Sequence, residues 1–209
     1  MLGIFGGTFD PIHYGHLKPV QVVLQELGLS KVRFVPNRLP PHRGLPWLST
    51  EQRVCLLEIA LQAYPDFILD RRELNRDGPS YMVDTLKSLR EDFPQETLCL
   101  IMGMDAFASF GHWFAWRTIL QYCHLVVMQR PGINVLPSMD DFLKKRLIQD
   151  KKRWQSQAGG KILIQSVPQL AISSTDIRHR LLHAGQTQVQ AVATMMPAKV
   201  YQQLKRFLA

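Results

Sequence analysis

Two stretches far apart in the chain carry residue types that could handle a polyphosphate. The first is Gly6-Gly7-Thr8-Phe9-Asp10-Pro11-Ile12-His13-Tyr14-Gly15-His16. Paired glycines let a backbone turn sharply and let a phosphate approach closely. A helix opening just after them would present N–H groups and a partial positive end to an anion. His13 and His16 lie three residues apart, so a helix starting near Pro11 or Ile12 puts both rings on one side. Two imidazoles placed there can donate to a phosphate that gains charge in a transition state. Alone, a Gly-Gly turn is an ordinary strand-to-helix connection. It is neither a Walker loop nor the G-x-G-x-x-G fingerprint, and no Cys or His pair elsewhere has zinc-site spacing.

The second stretch is Ile172-Ser173-Ser174-Thr175-Asp176-Ile177-Arg178. Three hydroxyl residues in a row suit a helix start, where they cap N–H groups and can face a phosphate. Arg178 follows about one turn later as an always-charged, forked donor. By spacing alone a plain N-cap with a surface arginine is the preferred reading.

Other groups could choose what meets the phosphates. The proline-rich Pro36-Asn37-Arg38-Leu39-Pro40-Pro41-His42-Arg43 is a stiff loop that presents Arg43. Gly78-Pro79-Ser80-Tyr81-Met82-Val83-Asp84-Thr85-Leu86 leads into a helical pattern, and Phe110-Gly111-His112-Trp113-Phe114-Ala115-Trp116 is an aromatic cluster. Such a cluster is more often core than ligand platform, yet Trp113 sits between a Gly-His pair and a further aromatic, in loop-like surroundings. Gly103 and Asp105 follow an apolar strand, where an aspartate could bind ribose hydroxyls or cap a helix.

The elements that must hold these residues alternate. Residues 2–6 read as a buried strand, 17–27 as a helix stopped by Gly28, and 31–36 as a second strand, which together make one βαβ unit. Ser49 and Gln52 form a capping box for a helix reaching about residue 63. Further strands are expected at 66–69, 97–102, 124–129 and 161–166. Helices are expected at 80–93, 116–122, 140–155, 173–183 and 197–208. Several strands are apolar on both faces, so the expected fold is α/β, a Rossmann-like doubly wound parallel sheet with helices on both faces and a small C-terminal helical part. We expect a single domain over residues 1–209, with 133–160 as a peripheral insertion and about 170–209 as the helical part.

The 209 residues are 46% hydrophobic and 20% charged, ordinary values for a globule with one core. The three cysteines, Cys55, Cys99 and Cys123, sit apart in apolar stretches and read as buried thiols of a reducing compartment. No apolar run is long enough to span a membrane, and the first residues lack the pattern of a signal peptide, so a cytoplasmic location is expected. The formal net charge of +8 favours an anionic partner. Basic and aromatic residues interleave little, which weighs against nucleic acid.

The string G-G-T-F-D-P-I-H-Y-G-H resembles the signature of the nucleotidylyltransferase superfamily, whose mark is His or Thr, any residue, Gly, His. I-S-S-T-x-I-R resembles its second nucleotide motif. Across most of residues 2–201 the chain is similar to the bacterial nicotinate mononucleotide adenylyltransferases. The similarity is poor over about 133–160, and Met82 stands where that family usually has threonine. The resemblance implies transfer of AMP from ATP to nicotinate mononucleotide, giving deamido-NAD and pyrophosphate. It implies a catalytic role for His13, His16 and Arg178. It places Gly6, Gly7, Thr8, Phe9, Gly103, Asp105, Ile172, Ser173, Ser174 and Thr175 around ATP. It places Asn37, Arg43, Thr85, Trp113, Phe114 and Arg130 around nicotinate mononucleotide. The ring would stack on Trp113, and its carboxylate would accept from the N–H groups of Thr85 and Phe114. Mg²⁺ would arrive on the ATP phosphates rather than on a protein metal site. Neither a nucleic acid nor a membrane partner is implied, and oligomeric state is left open. Within the superfamily, nicotinamide mononucleotide, phosphopantetheine and glycerol phosphate are the rival acceptors; the tryptophan loop and the S-Y-x-x-D-T-L string weigh against them.

Overall fold

A computed structural model describes residues 1–38, 44–129, 141–149, 159–168, 170–183 and 190–209. Seven parallel strands form one sheet: β1 (Leu2–Gly7), β2 (Lys31–Pro36), β3 (Phe67–Leu69), β4 (Leu98–Gly103), β5 (His124–Gln129), β6 (Leu147–Ile148) and β7 (Ile162–Ser166). Their order is β3-β2-β1-β4-β5-β7-β6. The chain therefore winds one way from β1 through β2 to β3, then returns to place β4 on the other side of β1. The crevice between the carboxyl ends of β1 and β4 is the switch point where open parallel sheets bind ligands.

The double-sided burial follows the two-residue period of a strand. Ile101, Val126 and Met128 pack with Leu17, Val20 and Val23 of α1 (Tyr14–Leu27), Leu56 and Leu57 of α2 (Thr50–Leu61), and Val200 and Leu204 of the C-terminal helix α8 (Ala198–Leu208). The residues between them, Leu100, Met102, Leu125 and Val127, pack on the opposite face with Val83, Leu86 and Leu89 of α3 (Met82–Asp92) and Ile119 and Leu120 of α5 (Trp116–Tyr122). A short α4 (Met104–Ala108) leaves the end of β4 directly.

Local signals hold where they were strong. Gly28 ends α1 in the left-handed region at φ 64, and Ser49 and Gln52 make both bonds of the capping box. Two expectations are corrected. His13, not Pro11 or Ile12, stands at the boundary of α1, as its N-cap in extended conformation. The charged helix expected over 140–155 is confined among the described residues to α6 (Asp141–Lys144), and Leu147–Ile148 instead pairs with β7 as the sheet's outer strand. Polar composition hid this strand, because its partner lies beyond the next stretch of chain.

Candidate functional site

The two remote motifs meet at the end of β1. Arg178 Nη1 donates to the carbonyl of Asp10 at 2.7 Å, and the Ser174 hydroxyl donates to that of Pro11 at 3.0 Å. Arg178 is steadied by Thr175 Oγ1 at 3.2 Å and by the Asp10 carboxylate at 3.7 Å. Asp10 is itself tied on both oxygens, accepting from the N–H groups of Trp47 at 2.8 Å and Leu48 at 3.0 Å. Ser173 caps α7 (Ser174–His183) by accepting from Asp176 N–H. Ser174 and Arg178 thus clamp the glycine turn as well as facing the cavity.

The imidazoles of His13 and His16 stack, with centroids 3.8 Å apart, and the Phe9 edge meets His16 at 5.4 Å. Phe9 holds the left-handed conformation at φ 50 with a buried side chain, so the turn is bent by packing as well as by its glycines. His13 is buried, and desolvation lowers its pKa to about 4. It is a neutral donor or acceptor at neutral pH rather than a fixed cation. Gly15, between the two histidines in sequence, leaves room for chain from the other motif: a Cβ there would lie 2.8 Å from the Ile172 carbonyl oxygen. The free helix end expected from sequence is partly used, since Tyr14 N–H donates to Met195 O at 2.9 Å.

A cavity of about 1250 Å³ opens over this junction. Its walls include Gly6, Gly7, Thr8, Phe9, His13, His16, Asn37, Gly103, Asp105, Trp113, Phe114, Ile172, Ser173, Ser174, Thr175 and Arg178. Gly103 is the N-cap of α4, with Asp105 in the first turn and exposed, so the N-cap alternative for Asp105 is set aside. Trp113 packs on Phe110 at 5.6 Å, while Phe114 is 57% exposed and rests on Tyr81 at 4.5 Å. Met82 reaches back over β1: a Cβ at Gly6 would come 2.5 Å from its methyl carbon.

Thr85 departs from expectation. It is fully buried and is not part of the cavity wall. Its N–H donates to Tyr81 O at 3.3 Å within α3, and its hydroxyl donates to Glu73 at 2.6 Å. Arg43 and Arg130 lie outside the described residues.

Sequence reasoning passed over two charged residues that the fold brings to the site. Arg53 is fully buried on α2 and donates to Thr8 O at 2.7 Å, Asn37 O at 3.0 Å and Thr50 Oγ1 at 3.1 Å. It thereby fixes the loops after β1 and β2 relative to each other. Burial lowers its pKa, and the charges of Asp10 and Glu51 oppose that. The available signal was an arginine on the same helical stripe as Leu57 and Ala60. Glu73 lines the cavity and is 3% exposed; nothing in its sequence neighbourhood marks it.

Cavity, switch point and paired motifs are those of a nucleotide-handling α/β protein, and comparison with known proteins agrees. Residues 4–180 match the cytidylyltransferase-like family, to which the chain belongs. Within that family its place is among the nicotinate-nucleotide adenylyltransferases. It is 45% identical over 190 residues to a probable nicotinate-nucleotide adenylyltransferase of Methylococcus capsulatus, covering 90% of each chain. It is 41% identical over 201 residues to one of Klebsiella pneumoniae, covering 94% of this chain and 91% of the other. The fold is similar to that of the Plasmodium falciparum nicotinic acid mononucleotide adenylyltransferase complexed with APC, with TM-score 0.71, 16% identity, and coverage of 99% and 94% of the two chains. A second structure of that protein, complexed with NaAD, gives TM-score 0.69 at 17% identity.

Proposed function

We propose that this protein transfers the adenylyl group of ATP to the phosphate of nicotinate mononucleotide, releasing pyrophosphate and forming deamido-NAD. The observation that carries the reading is the clamp of Ser174 and Arg178 on the Pro11 and Asp10 carbonyls, which brings the hydroxyl-rich helix start beside the stacked His13 and His16 over one cavity.

The acceptor phosphate has a second pKa of about 6, so at neutral pH it is largely dianionic and needs no general base. Its oxygen attacks the α-phosphorus of ATP in line, and the bond to the β-phosphate oxygen breaks. The protein's task is to align two anions and spread their charge. Gly6, Gly7, Thr8 and Phe9 shape the phosphate turn, and Ser173, Ser174 and Thr175 offer hydroxyls from the opposite side. Arg178 supplies fixed positive charge, and His13 and His16 donate to the α-phosphate as its charge grows. His13 does so as a neutral imidazole, consistent with the burial that lowers its pKa. Gly103 and Asp105 suit the ribose, and the Ile172 backbone suits adenine. On the acceptor side, Asn37 borders the phosphate region and Trp113 offers a face to the pyridine ring. Phe114 offers its N–H to the ring carboxylate, and Arg43 and Arg130 remain assigned by resemblance alone.

Mg²⁺ would accompany the triphosphate and neutralise part of its charge. Asp10 is engaged by two backbone N–H groups and Arg178, and Glu73 by Thr85, which leaves Asp105 as a single open carboxylate at the cavity, fewer than a protein-held ion needs. No step is therefore routed through the ion. No helix among the described residues is long and apolar enough to cross a membrane, and the free cysteines suit the reducing cytoplasm.

The test is a panel of acceptors with ATP and purified protein, separating dinucleotide products by chromatography. Nicotinate mononucleotide should give the highest kcat/KM. Preference for nicotinamide mononucleotide, phosphopantetheine or glycerol phosphate would reject the assignment.

A further inference from the structure

Glu73 is an acid buried in the wall of the cavity, which on the reading above receives anionic ligands. Among the described residues it has no ion-pair partner. Its Oε1 accepts from the Thr85 hydroxyl at 2.6 Å, and the neutral Ser80 hydroxyl also favours its charged form. Arg76 directs Nη2 to Tyr81 O at 3.4 Å and Thr85 Oγ1 at 3.3 Å, so its charge acts on the carboxylate from beyond Thr85 without pairing with it. Burial raises the proton affinity of Glu73, Thr85, Ser80 and Arg76 oppose that in part, and Asp70 adds a smaller repulsion. A desolvated carboxylate held this way is costly in the empty protein.

The position of this carboxylate says what could offset the cost. Thr85 lies one helical turn after Tyr81 and also donates to its carbonyl. The Tyr81 ring rests on Phe114, next to Trp113. Glu73, Ser80, Tyr81, Trp113 and Phe114 all face the same cavity. The acid therefore stands beside the aromatic end, where a flat ring would lie.

We propose that Glu73 is a specificity-determining residue for the acceptor, the counter-charge to its quaternary pyridinium nitrogen. This rests on the nicotinate mononucleotide reading above. An N-glycosylated pyridine carries a permanent positive charge on the ring, while its phosphate and carboxylate are anionic. A site with only positive groups would hold the two anionic ends and oppose the middle. A carboxylate among aromatic side chains matches the cation and discriminates against neutral rings of the same outline.

The experiment compares nicotinate mononucleotide with its 1,4-dihydro form, whose ring nitrogen is uncharged. Dissociation constants are measured for both, with a non-hydrolysable ATP analogue present, in wild type, Glu73→Gln and Glu73→Asp. The Gln side chain keeps an oxygen for Thr85 but not the charge. Glu73→Gln should weaken the cationic ligand about tenfold and the dihydro ligand less than about twofold, with Tm near wild type. Glu73→Asp, which keeps the charge at shorter reach, should fall between. Should Glu73→Gln fail to fold, Glu73→Asp must still weaken the cationic ligand more than the dihydro one. Equal losses for both ligands would mean that Glu73 only braces Thr85, and no loss would mean that it does not meet the ring; either overturns the proposal. Folded wild type that turns over another acceptor but fails to bind nicotinate mononucleotide would instead overturn the functional reading, and this inference with it.

Discussion

Gly15→Ala reverses the usual effect of its substitution, and the reversal can be worked from distances. Gly15 is the second residue of α1, and in an open helix alanine is favoured over glycine there by about 1 kcal/mol. Here the added Cβ would sit 2.8 Å from the Ile172 carbonyl oxygen and 2.9 Å from Cε1 and Nδ1 of His13. An ordinary carbon-to-oxygen approach is about 3.3 Å, so the Ile172 backbone must retreat by roughly half an ångström. Neither neighbour gives way easily, because one is main chain and the other is a buried ring. The same retreat pulls Ser174 and Arg178 from the Pro11 and Asp10 carbonyls, now at 3.0 and 2.7 Å. Overpacking of this kind costs about 1–3 kcal/mol, so the helix gain is cancelled and Tm falls by a few degrees. Activity should fall further, since about 1 Å of misplacement costs roughly 10²-fold. Steady-state kinetics and thermal unfolding of one preparation decide the matter. A variant with wild-type kcat/KM and a raised Tm would refute the packing argument.

Three further outcomes follow from the geometry. His16→Ala should lower kcat by about 10²-fold with little change in KM for ATP, the pattern of a lost transition-state donor; a kcat within a few-fold of wild type would remove His16 from the chemistry. Arg53→Met strands the Thr8 and Asn37 carbonyls in the interior and should destabilise the fold by about 3 kcal/mol, with Arg53→Lys recovering part of both Tm and activity; a Met variant as stable as wild type would contradict the bracing role. His13 ties stability to pH: unfolded, it takes a proton below its ordinary 6.5, but folded only near about 4. The unfolded chain binds more protons in that window, so stability is complete above about pH 6.5 and declines toward pH 4, by about 2 kcal/mol near pH 5 from this residue. Denaturant titrations of wild type and His13→Asn should show the variant losing that slope, and parallel curves would contradict it.

The sequence was most legible where structure is set by near neighbours. Gly28 stops α1 because only a left-handed residue closes that turn, and the Ser49–Gln52 box needs three residues of context. Trp116–Tyr122 and His124–Gln129 have the bounds that their apolar patterns gave. Legibility failed where a partner lies far along the chain. Leu147–Ile148 is a strand only because β7 is beside it, and in isolation the residues read as one face of a charged helix. The site divides the same way. Motif residues from Gly6 to Arg178 line one cavity, because their spacing encodes a turn and a cap. Arg53 and Glu73 are held by partners 45 and 12 residues away, Thr8 and Thr85. Thr85 sits in a motif that points to the ligand, yet it is buried and its hydroxyl turns toward Glu73, because a local pattern of residues does not state which side of a helix start is covered.

The central claim is that the glycine turn and the hydroxyl-rich helix start serve one adenylyl transfer to nicotinate mononucleotide. ATP labelled at the α-phosphorus tests it most directly. In complete mixtures the label should move into the dinucleotide, one equivalent for each pyrophosphate released, and it should stay in ATP when the acceptor is omitted. Label appearing as AMP, or pyrophosphate released at the same rate without acceptor, would contradict the account.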